Sequence, residues 1–305
     1  MLKKVLITGA NSGLGKESAR QLAEDPTIEK IYLGCRNKKK AMEAKKELES
    51  VTGRKIFEII MIDVSNLDSV RHVVDHMKEP IDGIVMNAGG FGGSDFMSLT
   101  PEGTTRIYAV NVLGHAMLLE RLLEQSKLTS VGIFVGTEVS RGVKGMAKRP
   151  ELKQGSVGEF TSIANGTFWE KDITDAMIPY GYVKLMGVMW MSSLARKYPK
   201  VRLLSMSPGG TAGTEGTSSM PTFKRMFTKS LFEVSVLLGK MHRVDVGARR
   251  YIDGLTDLRY KSAVFYASKK GVTGDVGDQG MIFDVFNNKT FQDNARKAVL
   301  SYIRH

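Results

Sequence analysis

Short apolar runs alternate with longer segments of helical periodicity over the first two hundred residues of the chain. Apolar runs of this length predict buried strands, and apolar residues spaced three and four apart predict helices that pack on them. We predict strands at residues 4–8, 30–33, 57–62, 83–86, 132–136 and 201–206. We predict helices between them, at residues 16–23, 39–49, 67–78, 103–125 and 180–197. Such alternation is typical of a parallel sheet covered by helices on both faces, so we predict a doubly wound α/β fold.

Two segments interrupt this alternation. Residues 141–178 are polar and contain glycines, although a direct connection from strand to helix needs only a few residues. Residues 209–245 begin with a glycine-containing run and continue into apolar side chains at near-helical spacing: Phe223, Met226, Phe227, Leu231 and Phe232. We interpret both segments as insertions on the substrate side. The second is either a helix packed on the core, a mobile lid over an apolar substrate, or a membrane-surface attachment through Lys224, Arg225 and Lys229.

The last part of the chain completes the predicted sheet. We predict a seventh strand at residues 263–267, a turn-rich loop at 268–280 and a closing helix at 288–303. No internal repeat or low-complexity segment divides the chain. We therefore predict one domain over residues 1–305, built on a mainly parallel seven-stranded sheet.

Charge and composition narrow the class of ligand. The formal net charge is +12, spread along the chain, which favours solubility and attraction of an anionic ligand. No nucleic-acid-binding module is recognisable, and no run approaches the roughly 20 apolar residues of a membrane span. The single cysteine, Cys35, excludes an intramolecular disulfide, and the five histidines have no metal-binding spacing. We predict a cytoplasmic protein without a metal.

A glycine-rich turn follows the first predicted strand and opens the first predicted helix. Its six residues of interest are Gly9, Asn11, Ser12, Gly13, Leu14 and Gly15. Glycine permits positive φ in a tight turn and lets a pyrophosphate approach the backbone, while free N–H groups at the helix start stabilise the anion. Position and composition together predict a dinucleotide site.

The spacing of Gly9, Gly13 and Gly15 resembles the T-G-x-x-x-G-x-G turn of the short-chain dehydrogenase/reductase family. This resemblance implies a Rossmann fold and a nicotinamide cofactor. At the end of the second strand, where an acidic residue would bind the ribose of NAD, the chain has Arg36 and, two residues on, Lys38. An arginine there suits a 2′-phosphate, so we predict NADP(H).

The family resemblance extends to the next two strand ends. Asp63 and Val64 lie where the family's aspartate contacts the adenine ring. The sequence Asn87-Ala88-Gly89 resembles the family's N-N-A-G signature, with Met86 in place of the first asparagine. The resemblance implies that these residues form a close-packed wall beside the cofactor.

The predicted catalytic pair is Tyr180 and Lys184. Carbonyl reduction needs a proton at the substrate oxygen, which a tyrosine supplies well only if its pKa, about 10, moves toward neutrality. Residues four apart on a helix share a face, so we expect the Lys184 ammonium to stabilise the Tyr180 phenolate. Tyr182 has the wrong spacing for this role.

The remaining site residues come from the resemblance. Thr137, at the end of the fifth strand, takes the place of the family's substrate-binding serine, with Ser140 as the alternative. Asn111 matches the asparagine that supports a water-mediated proton relay to the lysine. Pro208 and Gly209 resemble the motif that packs on the nicotinamide, with Thr211 or Thr214 near its carboxamide.

These features predict an NADP(H)-dependent oxidoreductase that acts on a small-molecule carbonyl or alcohol. The long segment between Thr137 and Tyr180 resembles the branch with retinol-dehydrogenase-like and protochlorophyllide-reductase-like enzymes, which implies a bulky apolar substrate. The alternative is a catalytically silent NADP-binding regulatory or scaffold protein. Such a protein would be expected to lose the tyrosine-lysine pair. The identity of the substrate, the direction of the reaction and homo-oligomerisation are left open.

Overall fold

The structure, a computed structural model, describes residues 2–169, 173–211 and 241–303. Its strands are β1 (Lys4–Thr8), β2 (Lys30–Cys35), β3 (Phe57–Met61), β4 (Ile81–Met86), β5 (Leu128–Val135), β6 (Arg202–Met206), β7 (Phe265–Lys270) and β8 (Thr273–Asp278). Its helices are α1 (Gly13–Leu22), α2 (Lys38–Thr52), α3 (Leu67–His76), α4 (Arg106–Tyr108), α5 (Gly114–Glu124), α6 (Val157–Asn165), α7 (Met177–Lys197), α8 (Val244–Thr256) and α9 (Lys289–Ile303).

All eight strands form one sheet in the order β3-β2-β1-β4-β5-β6-β7-β8. Every neighbouring pair is parallel except β7 and β8, which form an antiparallel hairpin. The crossover order, with β1 beside β4, is that of a doubly wound Rossmann fold, so the predicted fold class is confirmed. The carboxyl ends of β1, β4 and β5 meet at one edge of the sheet, where ligands of this fold bind.

The predicted strand count was one too low, because β8 lies within the predicted turn-rich loop at residues 268–280. Its sequence, TGDVGD, is polar and rich in glycine and lacks the alternation that marks a strand. Gly271 and Gly274 have φ of +57° and +90°, the conformations that the hairpin requires. Pairing with β7 therefore sets the structure of this edge strand, against its own propensity.

Apolar residues cover both faces of the sheet. Phe134 and Met86 point to one face, where they pack with Trp190 of α7 in a cluster that includes side chains of α5 and α9. Ile7 and Ile133 point to the other face, in a cluster with residues of α1, α2 and α8. A sheet buried on both faces gives strands that read as continuous apolar runs, which is why the central strands were recognisable in the sequence.

The structure describes most of the first predicted insertion and only the two ends of the second. Residues 141–178 contain α6, whose Phe160 and Ile163 are fully buried and pack in the same cluster as α9, so this part contributes to the core. Residues 212–240, with the predicted lid, its three basic residues and Thr214, lie outside the described residues. Within the described ranges, no helix is both long and apolar enough to cross a bilayer.

Candidate active site

The glycine turn between β1 and α1 is open to an anion. Gly9 and Gly13 have φ of +68° and +51°, and a Cβ on Gly15 would lie 2.6 Å from the amide nitrogen of Asn87. The cap residue of α1, Ser12, makes no side-chain cap hydrogen bond, and the first turn of the helix contains no acidic residue. The N–H groups at the start of α1 are therefore free to bind a phosphate.

Side chains from neighbouring strands hold this turn. The amide of Asn87 donates to the carbonyl oxygen of Thr8 at 3.0 Å, and the N–H of Ala88 donates to the Thr8 hydroxyl at 3.0 Å. The same hydroxyl lies 3.0 Å from Nε2 of His115, and burial lowers the pKa of His115 to about 3, so its ring is neutral. The Asn87 side chain therefore stabilises the turn by this hydrogen bond. Its position beside the cofactor stays a prediction.

The end of β2 lies against the same turn. Cys35 is buried, its sulfur accepts hydrogen bonds from the N–H groups of Ala10 and Asn11, and burial raises the pKa of its thiol to about 11. The next residue, Arg36, is exposed, as is Lys38 at the start of α2. Two cations thus flank the turn without an acidic residue between them.

The ends of β3 and β4 are held by local hydrogen bonds. One oxygen of the Asp63 carboxylate accepts hydrogen bonds from the N–H and hydroxyl of Ser65 at 2.9 and 2.6 Å, and the residue is half-buried. Val64 is buried. A Cβ on Gly89 would lie 2.7 Å from Oδ1 of Asn111 and 3.7 Å from Nζ of Lys184, so only glycine fits where β4 meets these two side chains.

Tyr180 and Lys184 lie on one face of α7, as their spacing predicts. Lys184 is 2% exposed, and its ammonium donates to the carbonyl oxygen of Val135 at 2.9 Å and lies 5.8 Å from the centre of the Tyr180 ring. The half-buried Tyr180 ring packs against Phe91, with ring centres 5.0 Å apart. The Tyr182 hydroxyl is hydrogen-bonded to the backbone of Glu151 instead. The last residue of β5 thus anchors the ammonium beneath the tyrosine ring.

The pKa of Tyr180 differs from the expectation based on spacing. Burial and the Glu138 carboxylate raise the pKa of Tyr180, and burial lowers the pKa of Lys184 to about 7. The ammonium donates to a carbonyl rather than to the phenol, so its predicted stabilisation of the phenolate does not outweigh burial in this structure. At neutral pH Tyr180 therefore keeps its proton, the state required of a general acid.

Thr137 and Ser140 differ in where their hydroxyls point. Thr137 caps a 3₁₀ turn, Glu138–Arg141, and its hydroxyl accepts the N–H of Val139 at 3.3 Å while the residue stays half-buried. The Ser140 hydroxyl donates to the Thr137 carbonyl oxygen at 2.7 Å, and Ser140 is only 1% exposed. Of the two alternatives, Thr137 is the less buried residue, and its hydroxyl is not donated to a carbonyl of its own turn.

Asn111 lies in a π-helical turn, Ala109–Leu113, that interrupts the single helix predicted over residues 103–125. Its amide donates to the carbonyl oxygens of Gly90 and Ile107, both at 2.7 Å, and its Oδ1 accepts the N–H of Gly90 at 3.2 Å. The side chain thus fixes the end of β4. π-Helical turns are frequent at functional sites, and this one widens the helix at its contact with the site.

The loop after β6 is the third wall of the site. Gly209 has a φ of +79°, and the N–H of Gly210 donates to the Val272 carbonyl oxygen at 2.7 Å. The Thr211 hydroxyl donates to the carbonyl oxygens of Pro208 and Gly209 at 3.3 and 3.2 Å. In this state Thr211 closes the loop on itself.

Sequence reasoning missed a buried polar network under this loop. The Glu138 carboxylate, 2% exposed, accepts the Ser207 hydroxyl at 2.5 Å and lies 3.6 Å from the Arg250 guanidinium. The Ser207 oxygen in turn accepts the N–H of Gly209 at 3.1 Å. Arg250 also donates to the Ser268 hydroxyl, and one of its nitrogens lies 2.9 Å from Nε2 of His242. Glu138, the residue next to Thr137, is thus connected through Ser207 to the Pro208-Gly209 loop.

Sequence comparison finds relatives of this chain among known dehydrogenases and reductases. A family model described as short chain dehydrogenase matches residues 3–151. A short chain dehydrogenase of Aspergillus nomiae is 38% identical over 130 residues, which are 41% of this chain and 34% of that protein. A protochlorophyllide reductase of Avena sativa is 28% identical over 264 residues, 80% of this chain and 82% of that protein. The chain thus spans about a third of the fungal relative and most of the plant one.

Solved structures extend the similarity of fold. L-Sorbose reductase from Gluconobacter frateurii, solved in complex with NADPH and L-sorbose, matches with a TM-score of 0.65 at 16% identity. The match covers 88% of this chain and 96% of the reductase chain. At this identity the match establishes the fold, and the chemistry must be argued from the side chains described above.

Proposed function

We propose that the chain is a short-chain dehydrogenase/reductase that transfers a hydride between NADP(H) and a carbonyl or alcohol substrate, with Tyr180 as general acid and base. The observation that carries this proposal is the convergence of Tyr180, Lys184 and Thr137 at the ends of α7 and β5. The glycine turn, which leaves no room for a Cβ on Gly15 and presents free N–H groups, fits a dinucleotide pyrophosphate.

The chain's own residues supply the proton chemistry. The bound nicotinamide supplies or accepts the hydride. In the direction of reduction, the protonated Tyr180 hydroxyl gives its proton to the substrate oxygen, and the Thr137 hydroxyl donates a hydrogen bond to that oxygen. Lys184, with a pKa lowered to about 7, is suited to return a proton toward Tyr180 near neutral pH. Gly89, which has no Cβ, leaves room beside the Lys184 ammonium for the side chain of Asn111.

The surroundings of Tyr180 support a substrate with an apolar body. Phe91, which packs on the tyrosine ring, is 38% exposed, and Ile178, two residues before the tyrosine, is 47% exposed. Large apolar side chains that remain exposed beside a polar reactive group are typical of a ligand site. We therefore keep a bulky apolar carbonyl compound as the proposed substrate class.

Arg36 provides the test of cofactor choice. We expect Arg36→Ser to raise the Kd for NADPH by about 10- to 100-fold, because one charge-assisted contact to the 2′-phosphate is lost. The Kd for NADH should stay within about twofold, since NADH lacks that phosphate. Calorimetric titration of both nucleotides measures the difference. Lys39→Ser, which removes an exposed cation in the first turn of α2, three residues after Arg36, is the matched control. Equal weakening of NADPH and NADH binding would contradict the assignment.

Glu138 is proposed as a positioning residue. We expect Glu138→Gln to lower kcat by about tenfold or more, because the Ser207-Gly209 connection loosens, and to lower the free energy of unfolding by about 3 kcal/mol. The matched control is Glu120→Gln, which breaks another buried ion pair, with Arg296. It should cost comparable stability and leave kcat within about twofold. Steady-state kinetics measure kcat of both variants, and denaturant unfolding measures their stability. Equal losses of kcat in the two variants would show that Glu138 acts only through stability.

A further inference from the structure

A cavity of about 430 Å³ opens beside the 3₁₀ turn that follows Thr137. Its lining is formed by Arg141, Gly142, Val143, Lys144, Ala147, Arg149, Gly271 and Phe283. Three of these side chains are basic and none of them is acidic. A concave surface with charge of one sign concentrates ligands of the opposite sign.

The two arginines of this cavity share one aromatic ring. The guanidinium carbons of Arg141 and Arg149 lie 5.8 and 4.4 Å from the centre of the Phe283 ring. Their mutual repulsion contributes, together with burial, to lowering the pKa of Arg141. Two like charges held this closely are unfavourable unless an anion lies between or beside them.

Arg141 also has an unused donor. The residue is 6% exposed, and its terminal nitrogens donate to the carbonyl oxygens of Gly142, Ser268 and Gly271. Its Nε is buried and has no hydrogen-bond partner among the described residues. All its partners are uncharged carbonyls, so no carboxylate is in contact with the guanidinium. The Arg141 guanidinium therefore keeps its positive charge uncompensated by a direct carboxylate contact at the wall of the cavity.

Glu138, the carboxylate whose field acts on Arg141, is already engaged. Its two carboxylate oxygens accept the Ser207 hydroxyl and the Ser268 N–H, and its ion-pair partner is Arg250. Its field raises the pKa of Arg141, but it does not line the cavity. The positive charge of Arg141, Lys144 and Arg149 is therefore left for a ligand.

The cavity is close to the reactive centre and far from the site proposed for the 2′-phosphate. Arg141 ends the 3₁₀ turn that Thr137 caps, four residues after Thr137. Gly271 precedes Val272, whose carbonyl oxygen accepts the N–H of Gly210 in the loop after Pro208. Arg36 directly follows β2, which lies on the opposite half of the sheet from β7.

We propose that this cavity is an anion subsite that holds a carboxylate carried by the substrate. The inference rests on the proposed function and makes it more specific: the substrate joins an apolar body to an anionic end. The exposed side chains of Lys144 and Arg149 can donate charge-assisted hydrogen bonds to a carboxylate, while the buried Arg141 adds its positive charge.

A binding experiment tests the subsite without any turnover. The anionic probe is 8-anilinonaphthalene-1-sulfonate, whose sulfonate stands in for the carboxylate, and the uncharged probe is N-phenyl-1-naphthylamine. Both are titrated by fluorescence into the full chain with NADP⁺ present. We expect Lys144→Gln combined with Arg149→Gln to weaken the sulfonate probe about tenfold or more and the uncharged probe by less than about twofold.

A control double variant removes the same number of positive charges at nearby residues outside the cavity. Lys148→Gln combined with Lys153→Gln changes two exposed lysines of the same segment that do not line the cavity. It should leave both probes within about twofold. Equal weakening of the two probes by the first double variant, no weakening at all, or equal weakening of the sulfonate probe by both double variants overturns the subsite.

A kinetic experiment then tests whether the anion belongs to the substrate. The compounds are 3-(4-acetylphenyl)propanoate and its methyl ester, which differ in one negative charge. We expect wild-type kcat/KM to favour the acid by about tenfold and the Lys144→Gln, Arg149→Gln variant to lose that preference without losing the ester reaction. Equal use of both by the wild type contradicts a substrate carboxylate. Absence of turnover with intact sulfonate discrimination rejects the enzyme proposal and retains the anion site.

Discussion

Tyr180→Phe should lower kcat by two to four orders of magnitude, about 10²- to 10⁴-fold, and leave the Kd for NADPH within about twofold. The phenylalanine keeps the ring that packs against Phe91 and removes only the hydroxyl that gives the proton. Because Tyr180 is half-buried and its hydroxyl has no hydrogen-bond partner in the structure described, its removal should change the free energy of unfolding by less than about 1 kcal/mol. NADPH oxidation and nucleotide titration measure the two effects separately.

Three further variants make this result specific. Tyr182→Phe, whose hydroxyl contacts Glu151 outside the site, should keep kcat. Thr137→Ala should lower kcat and Ser140→Ala should affect it much less, since Thr137 is only half-buried whereas Ser140 is buried and donates its hydroxyl to a backbone carbonyl. A Tyr180→Phe enzyme with unchanged kcat would remove the tyrosine from the reaction, and the reverse order of the last two variants would assign Ser140 instead.

Lys184→Met should lower activity and raise stability at the same time. Burial lowers the pKa of Lys184 from 10.5 to about 7, so between these values the unfolded chain holds a proton that the folded chain has lost. As pH falls below 10.5, protonation of Lys184 in the unfolded chain therefore lowers the free energy of unfolding. This destabilisation reaches its full size below about pH 7. Methionine removes the penalty. The gain in the free energy of unfolding should be larger at about pH 6 than at about pH 9, by on the order of 2 kcal/mol.

Loss of the hydrogen bond to Val135 offsets this gain by about 1 kcal/mol at both pH values. Denaturant unfolding at the two pH values provides the measurement. Lys197→Met, at the exposed end of the same helix, is the control and should show no such pH dependence. A variant that is equally destabilised at both pH values would mean that the Lys184 ammonium is well solvated or paired in the folded protein.

The parts of the fold that sequence predicted are those set by local pattern. The central strands β1 and β6 were found within one residue of their bounds, because they are apolar on both faces. β5 begins at Leu128, earlier than predicted, because Thr129 and Ser130 lie at its polar start. β8 was missed because a polar edge strand has no apolar alternation. The π-helical turn at Asn111 was missed because helix periodicity does not report a single wider turn.

The site divides in the same way. The glycine turn and the Tyr180–Lys184 pair are local spacings, so sequence alone brings their members together. The Glu138–Arg250 pair and the cavity of Arg141 and Arg149 join segments distant in the chain, and no pattern in the sequence pairs them. The direction of the Tyr180 pKa shift was predicted wrongly for a related reason: it depends on burial and on where the Lys184 ammonium points, both set by tertiary packing.

The central claim is hydride transfer from NADPH by a chain that keeps its tyrosine-lysine pair. The most direct test follows the nicotinamide absorbance of NADPH with the purified protein across aromatic, steroid, retinoid and aliphatic carbonyl compounds. We predict oxidation of NADPH with at least one bulky apolar carbonyl, and far slower oxidation of NADH with the same compound. Tight binding of NADPH without oxidation by any carbonyl would contradict the enzyme proposal and indicate a silent NADP-binding protein.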